Sequence, residues 1–287
     1  MHANKISIIG TSQGGRGDLI VRMLESLSYC EVDLEVVFVD QSSDNNIEKI
    51  FNDYKHKVNF KLIKSGKISL SKARNIAVSN STGNLLTFCD DDAFYDAPTL
   101  SKIISYVEVR PLIISTRVID KAKNTNYSGR QFPCKLSKLN QLDILRFCLS
   151  VGTFILAKNN DWIRKHVVFN ERLGVGAEIG GSEESELILR LNSSGLDVIF
   201  NPELIVYHDD DFISEDSSLV LGRKYYKYAV GYGLILKVFL FKSKLLLLLE
   251  LLNISIRCIV GLVISKRRAI HFYRLLGVWN GFLFKKL

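Results

Sequence analysis

The chain has 287 residues, 47% apolar and 24% charged, with a formal net charge of +8 and a pI near 9.1. That composition excludes a disordered or fibrous chain and suits one large or two smaller globular domains, while the basic balance permits nucleic acid, anionic lipid or phosphorylated compounds as partners. Five cysteines, Cys30, Cys89, Cys134, Cys148 and Cys258, are odd in number, widely spaced and free of any CxxC pair, which argues against a disulfide framework or structural zinc and for a reducing compartment.

The N-terminal MHANKISIIGTSQGG holds no apolar segment long enough for a signal peptide, so folding is expected to begin in the cytosol. Ile6 to Ile9 predicts a first strand, followed by a Gly- and Ser-rich loop over Gly10 to Gly17. Asp18 is placed to cap a helix in which Leu19, Ile20, Met23, Leu24 and Leu27 form one apolar stripe. Leu34 to Val39 predicts a buried strand ending at Asp40, and Phe60 to Ile63 a weaker one. A short helix over KARNIAVSNS, capped by Ser69 or Ser71 and closed by Gly83, leads to a third apolar run, Leu85 to Cys89.

That run feeds into Asp90, Asp91 and Asp92. Three adjacent carboxylates repel one another, and where a buried strand leaves the core their charge calls for a cation or donors; an oxygen-loving divalent metal is one answer, and a solvated acidic turn is the other. Pro98 near a helix start, with Leu100, Ile103, Ile104 and Val107 on one face, predicts a packing helix. Leu112 to Val118 and Val151 to Ala157 read as strands around a polar, loop-rich insertion at 120 to 140.

Four glycines between 174 and 181 precede Ser182, placed to cap a helix from Glu183 to about Ser194 that stops at Gly195. Glu183, Glu184 and Glu186 in its first turn complement the helix dipole, which needs no catalytic role. Asn201 to Tyr207 gives a last strand, leading to His208 and a second acidic run, Asp209 to Asp211. Strands alternating with helices predict a parallel α/β sheet, in which ligands bind at the carboxyl ends of strands, where Asp40 and Asp90 to Asp92 lie.

The segments VFVDQSSDN (37 to 45), LSKARNIAVSNSTGNLLTFCDDD (70 to 92), GVGAEIGGSEESELILRLNSSG (174 to 195) and FNPELIVYH (200 to 208) resemble, in order, the family 2 inverting glycosyltransferases of GT-A fold, especially bacterial capsule and cell-surface polysaccharide enzymes. The resemblance implies an α/β, Rossmann-like nucleotide-diphospho-sugar transferase with a mixed sheet flanked by helices. It implies that Asp40 contacts the nucleobase, usually uracil, with Asp44 completing the loop, and that Arg74 serves base and diphosphate. Asp90 and Asp92 match the ends of the DxD element, reading the ribose and binding Mn2+ or Mg2+, with Asp91 between them in the nucleotide-sugar site. His208 matches a position that completes the metal or diphosphate shell. The general base falls on Glu184, with Glu183 the alternative, and Glu186 is a supporting residue.

From Leu219 the chain turns apolar and aromatic, broken by basic residues. Leu245 to Ile264 is twenty residues long, nominally enough to span a bilayer, yet Glu250, Asn253, Arg257, Gly261 and Ser265 fall on one narrow helical face. Lys242, Lys244, Lys266, Arg267 and Arg268, with Trp279, Phe282 and Phe284 beside Lys285 and Lys286, suit a helical tail attached to an anionic membrane surface; packing on the catalytic domain or a dimer interface is the alternative. Charges interleaved with aliphatic runs argue against nucleic acid.

The expected organisation is a catalytic domain over 1–215, with a donor half to about 118 and an acceptor half beyond, and a membrane-associated tail over 216–287. The expected activity is metal-dependent, inverting transfer from a nucleotide donor, a UDP-sugar, to a hydroxyl of a cell-surface or capsular glycan on a lipid carrier, at the cytoplasmic face of the cell membrane. A homo-oligomer stays open. The alternative is a catalytically silent nucleotide-sugar-binding or scaffold protein of the same fold.

Overall fold

The computed structural model describes residues 4–106, 111–210, 218–240 and 244–283. Val107, Asp211, Lys242, Phe284, Lys285 and Lys286, named above, lie outside them. The chain forms two compact units, Met1–Phe169 with Leu187–Asp210, and Asn170–Glu186 with Asp211–Leu287.

In the first unit the elements run β1 (Ile6–Ser12), α1 (Gly17–Ser28), β2 (Leu34–Asp40), α2 (Asn46–Asp53), β3 (Phe60–Lys64), α3 (Leu70–Ser79), β4 (Leu85–Cys89), β5 (Ala93–Tyr95), α4 (Ala97–Ser105) and β6 (Leu112–Asp120). Short strands β7 (Thr125–Asn126) and β8 (Ser137–Lys138) break up the polar insertion. They are followed by α5 (Gln141–Phe147), β9 (Thr153–Leu156), α6 (Asn160–His166), the helix α7 (Glu183–Ser193), of which this unit takes the part from Leu187, and β10 (Asp197–His208).

The sheet order is β3-β2-β1-β4-β9-β6-β10-β5. The first four strands in that order are parallel, as the alternation of strands and helices predicts. Beyond β4 the sheet is mixed, because β9 runs antiparallel to both β4 and β6. β9 is four wholly buried residues, TFIL, and a short run buried on both faces carries no mark of its direction. β10 is parallel to β6, with a bulge between Asn201 and Ile205, so the carboxyl ends of β1, β2, β4, β6 and β10 share one edge. β5 turns back antiparallel along the end of β10, setting Ala93 opposite His208.

The core of this unit follows from its apolar runs. All seven residues of β2 are buried, and Phe38, Phe51 and Phe60 pack ring on ring at 5.0 and 5.1 Å. Burial of each such side chain contributes roughly 1.5–3 kcal/mol. Two local expectations change. Asp18 is inside α1 rather than its cap, since Arg16 takes that position without a side-chain capping bond, and the Asp18 carboxylate complements the dipole from the first turn. α3 is capped by Ser69, whose hydroxyl accepts the Lys72 N–H at 3.4 Å, and it ends at Ser79, short of Gly83, whose N–H donates to Ser7 Oγ at 2.8 Å.

The second unit joins the glycine-rich segment to three helices, α8 (Ser218–Leu240), α9 (Lys244–Ile264) and α10 (Arg268–Leu283). A Cβ at Gly233 would meet the Val278 carbonyl, and one at Gly281 the Val230 carbonyl, so α8 and α10 cross backbone against backbone. Two members of the polar stripe of α9, Glu250 and Asn253, find a partner inside this unit. Glu250 is 5% exposed and accepts the Tyr232 hydroxyl of α8 at 3.0 Å, and the Asn253 amide reaches the other carboxylate oxygen at 3.5 Å.

Candidate active site

Four strand ends of the first unit supply the polar cluster. Asp90 follows β4, Asp92 precedes β5, His208 ends β10, and Ser12 ends β1. Because β5 lies along β10, the imidazole of His208 comes to rest between two aspartates, with Nε2 3.2 Å from Asp92 Oδ1 and 3.7 Å from Asp90 Oδ2. His208 Nδ1 donates to the Asp209 carbonyl at 2.7 Å, which fixes the ring, and Tyr127 packs on it with centroids 4.6 Å apart.

Arg74 approaches Asp90 from the opposite side. It is buried, its Nη2 2.9 Å from Asp90 Oδ1 and 3.3 Å from Ser150 Oγ, and its guanidinium lies 5.5 Å from both the Phe88 and Phe169 rings. Those faces hold the charge in place while keeping water from it. Arg16, in the loop after β1, sets Nη1 2.9 Å from Asp91 Oδ1 and 3.1 Å from Asp92 Oδ2, and Ser12 Oγ donates to Asp91 at 2.7 Å.

The acidity of the cluster reflects these neighbours. Burial pushes Asp90 up, but His208 and Arg74 outweigh it and hold the carboxyl down at about 2. Burial pushes Asp92 up, and with the repulsion of Asp90 and Asp91 it outweighs the help from His208 and Arg16. His208 is pulled the other way: burial lowers it, yet Asp90 and Asp92 raise it to about 9, so imidazolium offsets the carboxylates.

Two carboxylates and an imidazole are donor types that suit a divalent cation. No group of three or more His, Cys, Asp or Glu side chains among the described residues stands in a metal-holding arrangement; His208 here pairs with the two carboxylates directly. The donor set therefore fits such an ion in kind, with the imidazolium and Arg16 offsetting the same negative charge.

One strand over, Asp40 is fully buried at the end of β2. Its carboxylate accepts the Ser42 N–H at 2.8 Å and pairs with Lys64 Nζ at 2.9 Å. Lys64 also bonds the Asp44 carbonyl, and Asp44 Oδ1 accepts the Asn46 N–H at the start of α2. Asp40, Asn45, Glu48, Asn52, Phe60, Leu62 and Lys64 line a cavity of about 260 Å³. β1 separates β2 from β4, which puts the Asp40 group about 10 Å along the edge from Asp90.

Asp40 and Asp44 thus form one group and Arg74, Asp90, Asp91, Asp92 and His208 another, on one sheet edge. The second acidic run is taken up otherwise. Asp209 pairs with Arg22 at 2.8 Å, and the Asp210 carboxylate accepts the Ser128 N–H at 3.1 Å. Arg16, Ser12 and Lys64 were not singled out from the sequence. Their signal was position, in each case at or just past the carboxyl end of a predicted parallel strand.

Glu183 and Glu184 open α7 in the second unit. Glu183 is buried and Glu184 half-buried. Ser182 has φ +65°, outside the extended conformation of an ordinary N-cap, and its carbonyl accepts the Glu186 N–H at 3.0 Å. The turn is set against α8, where a Cβ at Gly231 would lie 2.7 Å from the Gly181 carbonyl and 3.0 Å from Ser182 Oγ.

The family model described as Glycosyl transferase family 2 matches residues 15–167, which is more than half of the chain. The chain belongs to glycosyl transferase family 2. The match covers the Asp40, Arg74 and Asp90–Asp92 segments of this glycosyltransferase and stops before α7 and β10.

Solved structures share the GT-A fold. TarS of S. aureus superposes with a TM-score of 0.60 at 14% identity over 94% of this chain, which spans 55% of that one. TarS 1-349 in complex with UDP-GlcNAc gives 0.58 at 17% identity over 97% of this chain and 89% of that one. The mannosyltransferase PcManGT of Pyrobaculum calidifontis, in complex with GDP-Man and Mn2+, gives 0.63 at 11% identity over 99% and 88%. No curated protein sequence matches the glycosyltransferase significantly.

Proposed function

We propose that this glycosyltransferase moves a hexosyl group, with inversion and with help from a divalent cation, from a UDP-sugar to a hydroxyl of a cell-surface or capsular glycan on a lipid carrier. The observation that carries the reading is the convergence of Asp90, Asp92, His208 and the buried Arg74 on one sheet edge, about two strands from Asp40. UDP-GlcNAc in one structural neighbour, and GDP-Man with Mn2+ in another, support a nucleotide-sugar donor and a metal.

Asp40 and Asp44 would read the nucleobase beside the cavity under α2. Asp90 would take the ribose, and Asp91 would keep Arg16 at the same site. Asp90, Asp92 and His208 would hold Mn2+ or Mg2+, which supplies Lewis-acid stabilisation of the charge that grows on a departing diphosphate. Arg74 adds fixed positive charge beside them. Glu184, or Glu183 beside it, would take the proton of the acceptor hydroxyl, whose oxygen attacks the anomeric carbon from the face opposite the diphosphate; a helix N-terminus favours the ionised carboxylate that this step needs.

The catalytic part is read as residues 1–215 and the tail as 216–287. Among its described residues the tail holds one helix long and apolar enough to cross a membrane, which supports our reading of an enzyme working at the cytoplasmic membrane face, with self-association compatible. A thermal-shift panel of nucleotide sugars with Mn2+ tests the donor reading, since a ligand that binds only the folded protein raises its apparent stability. A rise in Tm with UDP-sugars and Mn2+ is expected. No rise with any nucleotide sugar would contradict the proposal.

A further inference from the structure

In α9 the usual arrangement of a surface helix is reversed. Its inward residues against α8 and α10 include Glu250 and Gly261 along with Leu247, Leu251, Ile254 and Cys258, all buried. Its outward residues are aliphatic, ten of them between Leu245 and Ile264 being 46–77% exposed, among them Leu252, Ile256, Ile259 and Val263. At about 100° per residue these ten cover nearly half the circumference with no charge among them. α10 extends this surface. Phe272, Leu276, Trp279 and Leu283 recur at helical spacing and are 39–67% exposed, and the Trp279 indole N–H donates to Ser255 of α9 at 3.1 Å, which sets the aromatic row beside the aliphatic one.

Water is a poor solvent for such a face, and a patch this continuous marks a partner. The polar features around it say which. Lys266, Arg267 and Arg268 are exposed where α9 passes into α10, and Arg257 is exposed at the edge of the aliphatic arc, thirteen residues into the twenty-residue span. In a helix crossing the bilayer, Arg257 would sit near the hydrocarbon centre at a cost of about 2.5–3.5 kcal/mol or more. In a helix lying in the membrane plane it stays at headgroup level beside the basic cluster, each such charge adding about 1 kcal/mol at an anionic surface.

We infer that α9 and α10 form a monotopic membrane-docking surface, with α9 in the plane of the bilayer, its outer face among the acyl chains and its basic edge on anionic phospholipid headgroups. This rests on the membrane placement proposed above and assigns it a face and an orientation.

The test is flotation of the full-length protein with phosphatidylcholine vesicles, with and without phosphatidylglycerol. Leu252→Ser/Ile256→Ser/Ile259→Ser alters only outward residues, so folding is kept, and vesicle partitioning falls about ten-fold or more. Lys266→Glu/Arg267→Glu/Arg268→Glu abolishes the preference for phosphatidylglycerol. In a Trp162→Phe/Trp279→Phe background, single tryptophans placed by Leu249→Trp, Ile256→Trp and Val263→Trp, which share one line along the outer face, are quenched by brominated lipids at one shallow depth. Wild type that does not float overturns both this inference and the membrane placement. Wild type that floats with an unaffected serine variant leaves the placement standing and overturns the docking face, as does a serine variant that instead turns a dimer into a monomer by light scattering. A deepest position at Ile256→Trp overturns the in-plane orientation.

Discussion

In the sheet unit the groups held out of water at greatest expense are charged. Asp40, Arg74 and Asp92 are at most 5% exposed, each within reach of an opposite charge. In the helical unit the expense lies in leaving hydrocarbon in water, as ten aliphatic side chains of α9 do while Glu250 is hidden. Each unit departs from the ordinary partition of polar outside and apolar inside, in opposite directions, and we read each departure as a place where something outside the chain is bound. On that reading, buried charge at the carboxyl ends of strands suits a charged ligand, and exposed hydrocarbon beside arginine and lysine suits lipid.

The first way to break this comparison is at the opening of α7. Glu184→Gln keeps shape and removes the proposed proton acceptor, so transfer should fall by about 10²–10⁴ while donor binding, measured by calorimetry, is unchanged. If Glu183→Gln shows that pattern and Glu184→Gln does not, the base is its neighbour.

Next in size is Arg74→Met. It strips one cation from Asp90, which is 35% exposed and keeps His208, and removes a buried guanidinium packed on Phe88 and Phe169, which should lower stability by about 1–3 kcal/mol in urea unfolding. A loss below about 1 kcal/mol would mean the charges are better solvated than their burial indicates.

Gly231→Ala sharpens the role of the helical unit in holding the turn before Glu183. A Cβ there meets backbone, and overpacking of this kind costs about 1–3 kcal/mol. The expected signature is a lower kcat with donor affinity preserved, since the strand ends of the sheet unit proposed to bind the donor are untouched.

The smallest effect tests the opposite end of the sheet, where Glu35 is buried away from the candidate site. Burial pushes Glu35 up, but the Ser7 hydroxyl, the Thr82 N–H, Lys5 and the Thr82 hydroxyl outweigh it and bring the carboxyl below its ordinary value. Its contribution to stability is therefore complete above about pH 4.5 and is lost as the pH falls through the depressed folded value. Urea unfolding of wild type should weaken below that pH, and Glu35→Gln should flatten that part of the profile. An unchanged profile would contradict the assignment.

The sequence carried the strand ends well, because β2 and β4 are unbroken apolar runs that stop at Asp40 and Asp90. It carried direction poorly, since the buried residues of β9 read alike whichever way the strand runs. The metal-type residues on β10 and after β4 were legible through their resemblance to a family. Arg16 and Lys64 were not, because a lone cation in a loop or at a strand end carries no periodicity. The stripe on α9 was visible as spacing; that its Glu250 turns inward onto Tyr232 while Arg257 stays exposed depends on a partner helix, which spacing within one helix cannot supply.

The central claim is that Asp90, Asp92 and His208 act together on a nucleotide diphosphate through a divalent cation. Calorimetric titration of UDP, with and without Mn2+, into wild type and Asp92→Ala tests it most directly. The account predicts that Mn2+ tightens UDP binding to wild type and that the substitution removes this gain while leaving the metal-free affinity near that of wild type. Equal Mn2+ enhancement in the two proteins, or none in wild type, would contradict it.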